Sequence, residues 1–208
     1  MGSKGRFKYA KQWEQFAKVL KSGIRPTTFE AAWPYVSDKV SGMYESEAKA
    51  IWNFLASRPI KSIVEVGRNL GGTLWLMGCA SKELKEVLSI DIEWYNTTDD
   101  VFPDWFALHN IHSDLRAEDS TTFKASGMYD FAFIDGLHTG PGVKADLEIW
   151  KDRCHYIGFH DYANRKTNKH KRCFQDVVDE ITKAKDKYGW KQIGERGRSE
   201  IIFETGVE

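Results

Sequence analysis

Residues 129–151 read YDFAFIDGLHTGPGVKADLEIWK, and this stretch decides the class of fold. Tyr129 to Asp135 is a mostly apolar, aromatic-rich run that stops at an aspartate, which predicts a buried strand. Gly136 and the Gly140-Pro141-Gly142 turn break it. Val143, Leu147 and Trp150 then recur on one face of a helix predicted from about 142 to 151. A buried strand feeding a helix is half of a βαβ unit. Working outward, the same rhythm recurs. Ile63-Val64-Glu65-Val66 leads through a glycine-rich turn into a helix over 72–81, and 87–91 is a second strand. A third strand is expected near 110–112 and another over 156–160. Val177, Val178, Ile181 and Ala184 mark a long helix closed near Gly189, followed by short strands at 190–193 and 200–203. Strands separated by helices imply right-handed crossovers and a mainly parallel sheet covered on both faces. The expected fold class is therefore α/β: a Rossmann-like, doubly wound, seven-stranded sheet closed by an antiparallel C-terminal hairpin.

The first 59 residues read differently, as a helical cap or extension ahead of a domain over 60–208. Trp13, Phe16, Ala17 and Leu20 fall on one helical face, with Gly23 placed to stop it. Residues 25–42, carrying Pro26 and Pro34, read as an irregular connection. Ala48, Ile51, Trp52 and Leu55 repeat the helical spacing, with Ser46 as the expected N-cap and Pro59 beyond the end.

Composition excludes several classes. Of 208 residues, 41% are hydrophobic, and eight Trp with twelve Phe need a core, which argues against disorder. Lys+Arg and Asp+Glu stand at 30 each, so no net charge pulls the chain toward nucleic acid, although a local patch stays open. No run approaches the ~20 apolar residues of a membrane span, and the polar N-terminus lacks a secretory pattern. Three scattered cysteines, Cys79, Cys154 and Cys173, make no disulfide framework or zinc site, so a reduced, cytoplasmic setting is expected.

In such sheets ligands bind beyond the carboxyl ends of the strands. The first strand ends in Glu65-Val66-Gly67-Arg68-Asn69-Leu70-Gly71-Gly72-Thr73. Glycines let the backbone approach a ligand, and the next helix offers free N–H groups. There is no Gly-Lys-Ser/Thr of a Walker loop, and Arg68 and Asn69 break the Gly-x-Gly-x-x-Gly spacing. A carboxylate at Glu65 would repel a pyrophosphate and suit a ligand carrying a cation; a tight turn with no ligand is the plainer alternative. Asp91, twenty residues after Gly71, ends the second strand where an acid can accept ribose hydroxyls. Asp114 is expected near the end of the next strand, where it would meet an adenine amino group. Two further strand ends bring Asp135, His138, His160 and Asp161 toward one crevice. Two carboxylates with an imidazole suit Mg²⁺ or Mn²⁺, and a second His suits a general base. The plainer reading is that these residues only cap loops. No Gly-x-Ser-x-Gly elbow supports a hydrolase.

Over about Tyr44 to Phe203 the chain resembles the class I S-adenosylmethionine-dependent methyltransferases. The likeness is to the small branch of metal-dependent O-methyltransferases of sugars, macrolides and catechols and of cephalosporin-hydroxylase-like proteins. It rests on VEVGRNLGGT (64–73), LSIDIEW (88–94), FAFIDGLHTGPGVKADLEIW (131–150) and IGFHDY (157–162). The resemblance implies that Glu65, Gly67 and Gly71, within a loop that includes Gly72 and Thr73, line the methionine part of the cofactor, with Asp91 on its ribose. It implies that Asp135 and Asp161 hold a metal and that His138 is the base; the residues themselves put Asp135 beside the cofactor as well and offer His160 as a third metal ligand. His160 replaces an acid found in some metal-dependent relatives, which admits a softer site or none. The implied reaction is in-line transfer of the sulfonium methyl to a hydroxyl of a small acceptor. Residues 164–172 hold five Lys or Arg and read as a solvated loop or as a lid over an anionic acceptor. Two alternatives stay open: a cofactor-binding protein without turnover, and a nucleic-acid methyltransferase using that basic loop. Self-association is left open too.

Overall fold

The computed structural model describes residues 10–95, 98–162, 171–193 and 199–207. In chain order the elements are α1 (Ala10–Lys21), α2 (Phe29–Ser41), α3 (Glu45–Ala56), β1 (Ser62–Val66), α4 (Gly72–Ala80), β2 (Glu86–Asp91), α5 (Phe102–Leu108) and β3 (His112–Ala117). A 3-10 turn (Ser120–Thr122) leads to β4 (Tyr129–Ile134), α6 (Gly140–Trp150), β5 (Cys154–Phe159), α7 (Lys171–Tyr188), β6 (Lys191–Ile193) and β7 (Ile201–Glu204). The seven strands form one sheet in the order β3-β2-β1-β4-β5-β7-β6. Every pairing is parallel except β5 with β7 and β7 with β6, which are antiparallel, as the two adjacent terminal strands required. The order reverses between β1 and β4, which is where such a sheet opens a crevice.

Alternation along the strands sorts side chains onto two layers. Ile63, Val87, Phe131 and Phe133 face a core shared with α1 to α5, whereas Val64, Leu88, Ala132 and Ile134 face α6 and α7. The first of these cores joins the N-terminal helices to the sheet: Phe54 of α3 sits 5.3 Å from Phe131 of β4, ring centre to ring centre. The cap thus has no separate core of its own among the described residues.

Four local expectations change. Residues 29–41 are helical rather than irregular, despite Pro34 inside the helix. Phe29, Ala32, Val36 and Val40 are all buried, so packing of one helical stripe outweighs the hydrogen bond that Pro34 removes. Two helical segments meet at Ser37 (φ 50°, ψ −177°), which is non-helical. The N-cap of α3 is Tyr44 rather than Ser46, and the Glu47 carboxylate accepts its backbone N–H at 2.8 Å. β3 begins at His112 and runs to Ala117, so Asp114 is mid-strand. Helix α5, seven residues long, was not foreseen; Phe102, Trp105 and Phe106 bury it against the first core. Among the described residues no helix is long and apolar enough to cross a membrane.

Candidate functional site

A cavity of about 830 Å³ opens at the carboxyl ends of β1, β2, β4 and β5. Its wall includes Gly67–Asn69 after β1, Asp91 and Ile92 after β2, Asp119–Thr121, Asp135–His138 after β4, and His160 and Asp161 after β5. Ser41–Tyr44 and Glu47 of the N-terminal helices close it from the other side.

The glycine turn is shaped by contact with neighbouring backbone. Gly67 has φ 89°, and a Cβ there would stand 2.1 Å from the Asp135 carbonyl oxygen. Strands β1 and β4 meet so closely at this point that no other residue fits. A Cβ on Gly72 would lie 2.7 Å from the backbone of Val40 and Ser41, so the cap seats directly on the start of α4. Thr73 donates its hydroxyl to the Ser41 carbonyl at 3.0 Å. Gly71, Gly72 and Thr73 therefore lie behind the cavity wall, with Gly67 on it. Glu65 lies behind it as well. It is buried, accepts the Ser89 hydroxyl at 2.9 Å, and leaves Oε1 without a partner. Burial pushes its carboxyl well above the usual range, against the pull of Ser89 and Arg68.

Arg68, which on sequence only interrupts the glycine spacing, is a structural centre. Its Nε and Nη2 form a fork onto both oxygens of Asp99 at 2.9 and 2.8 Å, with both side chains fully excluded from solvent. Nη1 donates to the Ser89 carbonyl at 3.0 Å. Asp91 holds the loop from the second strand: Oδ2 accepts the Asn69 N–H at 2.6 Å and Oδ1 the Glu93 N–H at 2.9 Å. Burial raises its pKa, with the Asn69 N–H, the Arg68 charge and the Ile92 N–H opposing. Asp114 is not brought to the cavity. It pairs with Arg116 at 2.7 Å beside a separate groove, and Asp119, Ser120 and Thr121 take the place expected of it, because β3 ends three residues beyond it.

Asp135, His138, His160 and Asp161 do converge. His138, about half exposed, sets Nδ1 2.6 Å from Asp161 Oδ2 and 3.8 Å from Asp135 Oδ1. Its pKa is raised, chiefly by the hydrogen bond to Asp161 and against burial. Asp161 has φ 60°, a left-handed conformation that aspartate tolerates better than most residues and that functional sites often hold. The ring of His160 lies between carboxylates, with Nδ1 3.1 Å from Asp135 Oδ1 and Nε2 3.5 Å from Glu47 Oε2. The Asp135 contact is an ion pair without hydrogen-bond alignment, since neither atom has a hydrogen-bond partner. Burial would lower the His160 pKa, but Asp135, Glu47 and Asp161 together push it up to about 11. This changes the expected metal trio: among the described residues, the donor atoms within 4.8 Å of one another belong to Asp135, His138 and Asp161. His160 stays beside that group, with Nδ1 3.1 Å from Asp135 Oδ1 and 3.5 Å from Asp161 Oδ1, while its Nε2 faces Glu47. Glu47 itself carried no local signal, being one acid in a helix of ordinary composition. The basic stretch at 164–170 lies outside the described residues, so its expected role as a lid is untouched by this geometry.

Residues 64–162, which span the cavity's strand ends, match the model of a family described as a methyltransferase domain. Over that stretch the chain is similar to methyltransferase domains. No protein of curated function matches it in sequence. Among solved structures it is similar to a candidate caffeoyl-CoA O-methyltransferase from Staphylococcus aureus, at 14% identity and TM-score 0.63, covering 87% of this chain and 93% of that one. It is also similar to the SAH-bound methyltransferase PaMTH1 of Podospora anserina, at 12% identity and TM-score 0.57, covering 99% and 97%. A third is the N-methyltransferase NodS from Bradyrhizobium japonicum in complex with S-adenosylhomocysteine, at 12% identity and TM-score 0.54, covering 77% and 84%. At these identities the neighbours establish the fold, and they include both O- and N-methyltransferases. The resemblance to methyltransferases thus extends from sequence over 64–162 to the fold, and fold alone does not name an acceptor.

Proposed function

We propose that this protein transfers the methyl group of S-adenosylmethionine to a hydroxyl of a small molecule, with His138 as general base. The observation that carries the reading is the 2.6 Å contact between His138 Nδ1 and Asp161. A carboxylate on Nδ1 fixes that nitrogen as the donor and leaves Nε2 as the proton acceptor. His138 is on the cavity wall and half exposed, so an acceptor hydroxyl can reach it. The leaving group is built into the sulfonium, so alignment and one proton transfer are what the protein must supply.

The charge of the wall supports the cofactor. Glu47, Asp91, Asp119, Asp135 and Asp161 line the cavity, and the cation Arg68 is neutralised by Asp99. A positively charged sulfonium and amine suit that lining, and the Asp91 carboxylate on the same wall supports a ribose contact. The same lining favours a neutral or cationic acceptor over an anionic one. Asp135 and Asp161, with His138 within reach, also fit a divalent cation: Asp135 Oδ1 is buried and lacks a hydrogen-bond partner. Such an ion supplies charge stabilisation to an ionising hydroxyl.

Calorimetry with S-adenosylmethionine, S-adenosylhomocysteine and NAD side by side is the first test; binding of NAD alone would end this reading. A screen of hydroxylated sugars, catechols and polyketide-like alcohols, read by S-adenosylhomocysteine release, then supplies an acceptor. His138→Ala should lower kcat by about 10²–10⁴-fold and leave S-adenosylhomocysteine affinity unchanged. Wild-type turnover in that variant would remove His138 from the mechanism. Anomalous scattering from Mn²⁺-soaked crystals tests the metal: the expected peak lies between Asp135 and Asp161.

A further inference from the structure

His160 is gripped from the cap as well as from the sheet. Glu47, which meets its Nε2, lies on α3 and is 113 residues away in the chain. That carboxylate is wholly buried and is itself held by two other groups. Its Oε2 accepts the Tyr44 N–H at 2.8 Å, and its Oε1 accepts the Ser199 hydroxyl just ahead of β7. On the far side of the ring, Nδ1 faces Asp135 on the cavity wall. An imidazole can rotate about its Cβ–Cγ bond, but a carboxylate at each nitrogen leaves one orientation that pairs both. Without Glu47 the buried Nε2 would lose its carboxylate and Asp135 would lose a fixed neighbour.

We propose that Glu47 is a positioning residue of the methyl-transfer site, holding the His160 ring so that Nδ1 stays against Asp135 and the cavity wall keeps its shape for the cofactor. The inference rests on the proposed methyltransferase reading, and it makes the N-terminal cap part of the site.

The test is a double-mutant cycle on the full chain with Glu47→Gln, His160→Gln and the pair together. S-adenosylhomocysteine affinity is measured by calorimetry and stability by urea unfolding of the same samples. Each single variant should weaken S-adenosylhomocysteine binding by about ten-fold, within the range shown by coupled neighbours. The double variant should bind no more weakly than the weaker single. Losses that multiply in the double variant would overturn the proposal. So would coupling seen in unfolding while every variant binds S-adenosylhomocysteine as the wild type does, since that pattern marks a purely structural pair. If Glu47→Gln does not fold, Glu47→Asp keeps the charge but withdraws it by one methylene; it should lose affinity too, and unchanged binding counts against the proposal. Failure of the wild type to bind S-adenosylhomocysteine would refute the underlying reading, and the inference falls with it.

Discussion

Replacing Asp146 with asparagine should flatten the stability–pH curve of this protein between about pH 4 and pH 7. Asp146 lies on α6, fully buried, and neither carboxyl oxygen has a hydrogen-bond partner. Burial pushes its pKa up to about 6, with the nearby Ser120 hydroxyl pulling down and the Asp119 carboxylate pushing further up. In the unfolded chain an aspartate titrates at about 3.9. Between those values the folded protein holds more protons than the unfolded one, so the free energy of unfolding falls as pH rises. The contribution is fully present below about pH 4 and is lost as pH rises through the folded value near 6. The difference between about 3.9 and about 6 corresponds to about 3 kcal/mol, or about 6–12 °C in Tm for a chain of this size. Asparagine cannot titrate. Thermal and urea unfolding of wild type and Asp146→Asn at half-unit steps from pH 4 to 8 should show their stability difference moving by about 3 kcal/mol in favour of the variant. Other buried acids, Glu65 and Glu200 among them, act on both proteins and cancel in that difference. Parallel curves, with a difference constant within about 0.5 kcal/mol, would refute the reasoning.

Three further outcomes follow from the same geometry. Asp91→Ala should weaken S-adenosylmethionine binding by about 1.5–3 kcal/mol, the range for a hydrogen bond to a charged group; an unchanged Kd in a folded variant would clear Asp91 of the ribose role. Asp99→Ala strands the Arg68 guanidinium in a fully buried site, and equilibrium unfolding should register a loss of about 3–5 kcal/mol, whereas a loss under 1 kcal/mol would mean the pair is dispensable. Gly67→Ala drives a methyl into the Asp135 carbonyl, so S-adenosylhomocysteine binding measured by calorimetry should fall with stability; retained affinity would show that β1 and β4 can separate there without cost to the site.

Much of the architecture was legible in the sequence because it is written in local periods. Tyr129 to Asp135 and Ile63 to Val66 are buried strands by their apolar runs, and Val143, Leu147 and Trp150 describe a helical face without reference to anything distant. That alternation also dictates a parallel sheet with its cavity at the carboxyl edge, so Gly67, Asp91, Asp135, His138, His160 and Asp161 are legible as cavity residues from the strand ends alone. Where a local rule conflicts with packing, sequence reading loses. Pro34 reads as a break, yet the buried stripe from Phe29 to Val40 keeps α2 helical. Helix α5 is too short to show a period, and the end of β3 slips by several residues, which sends Asp114 to the wrong groove.

Only the tertiary structure decided what the polar residues do to one another. Arg68 and Asp99 are 31 residues apart, and Glu47 and His160 are 113 apart. No spacing rule reaches that far. The two histidines have the same chemistry in the sequence, but the fold gives His138 to Asp161 at the open wall and His160 to Glu47 and Asp135 in the interior. Both rings line the cavity, but one is half exposed and the other is held between carboxylates, because a side chain's surroundings are set by chain segments it meets only after folding.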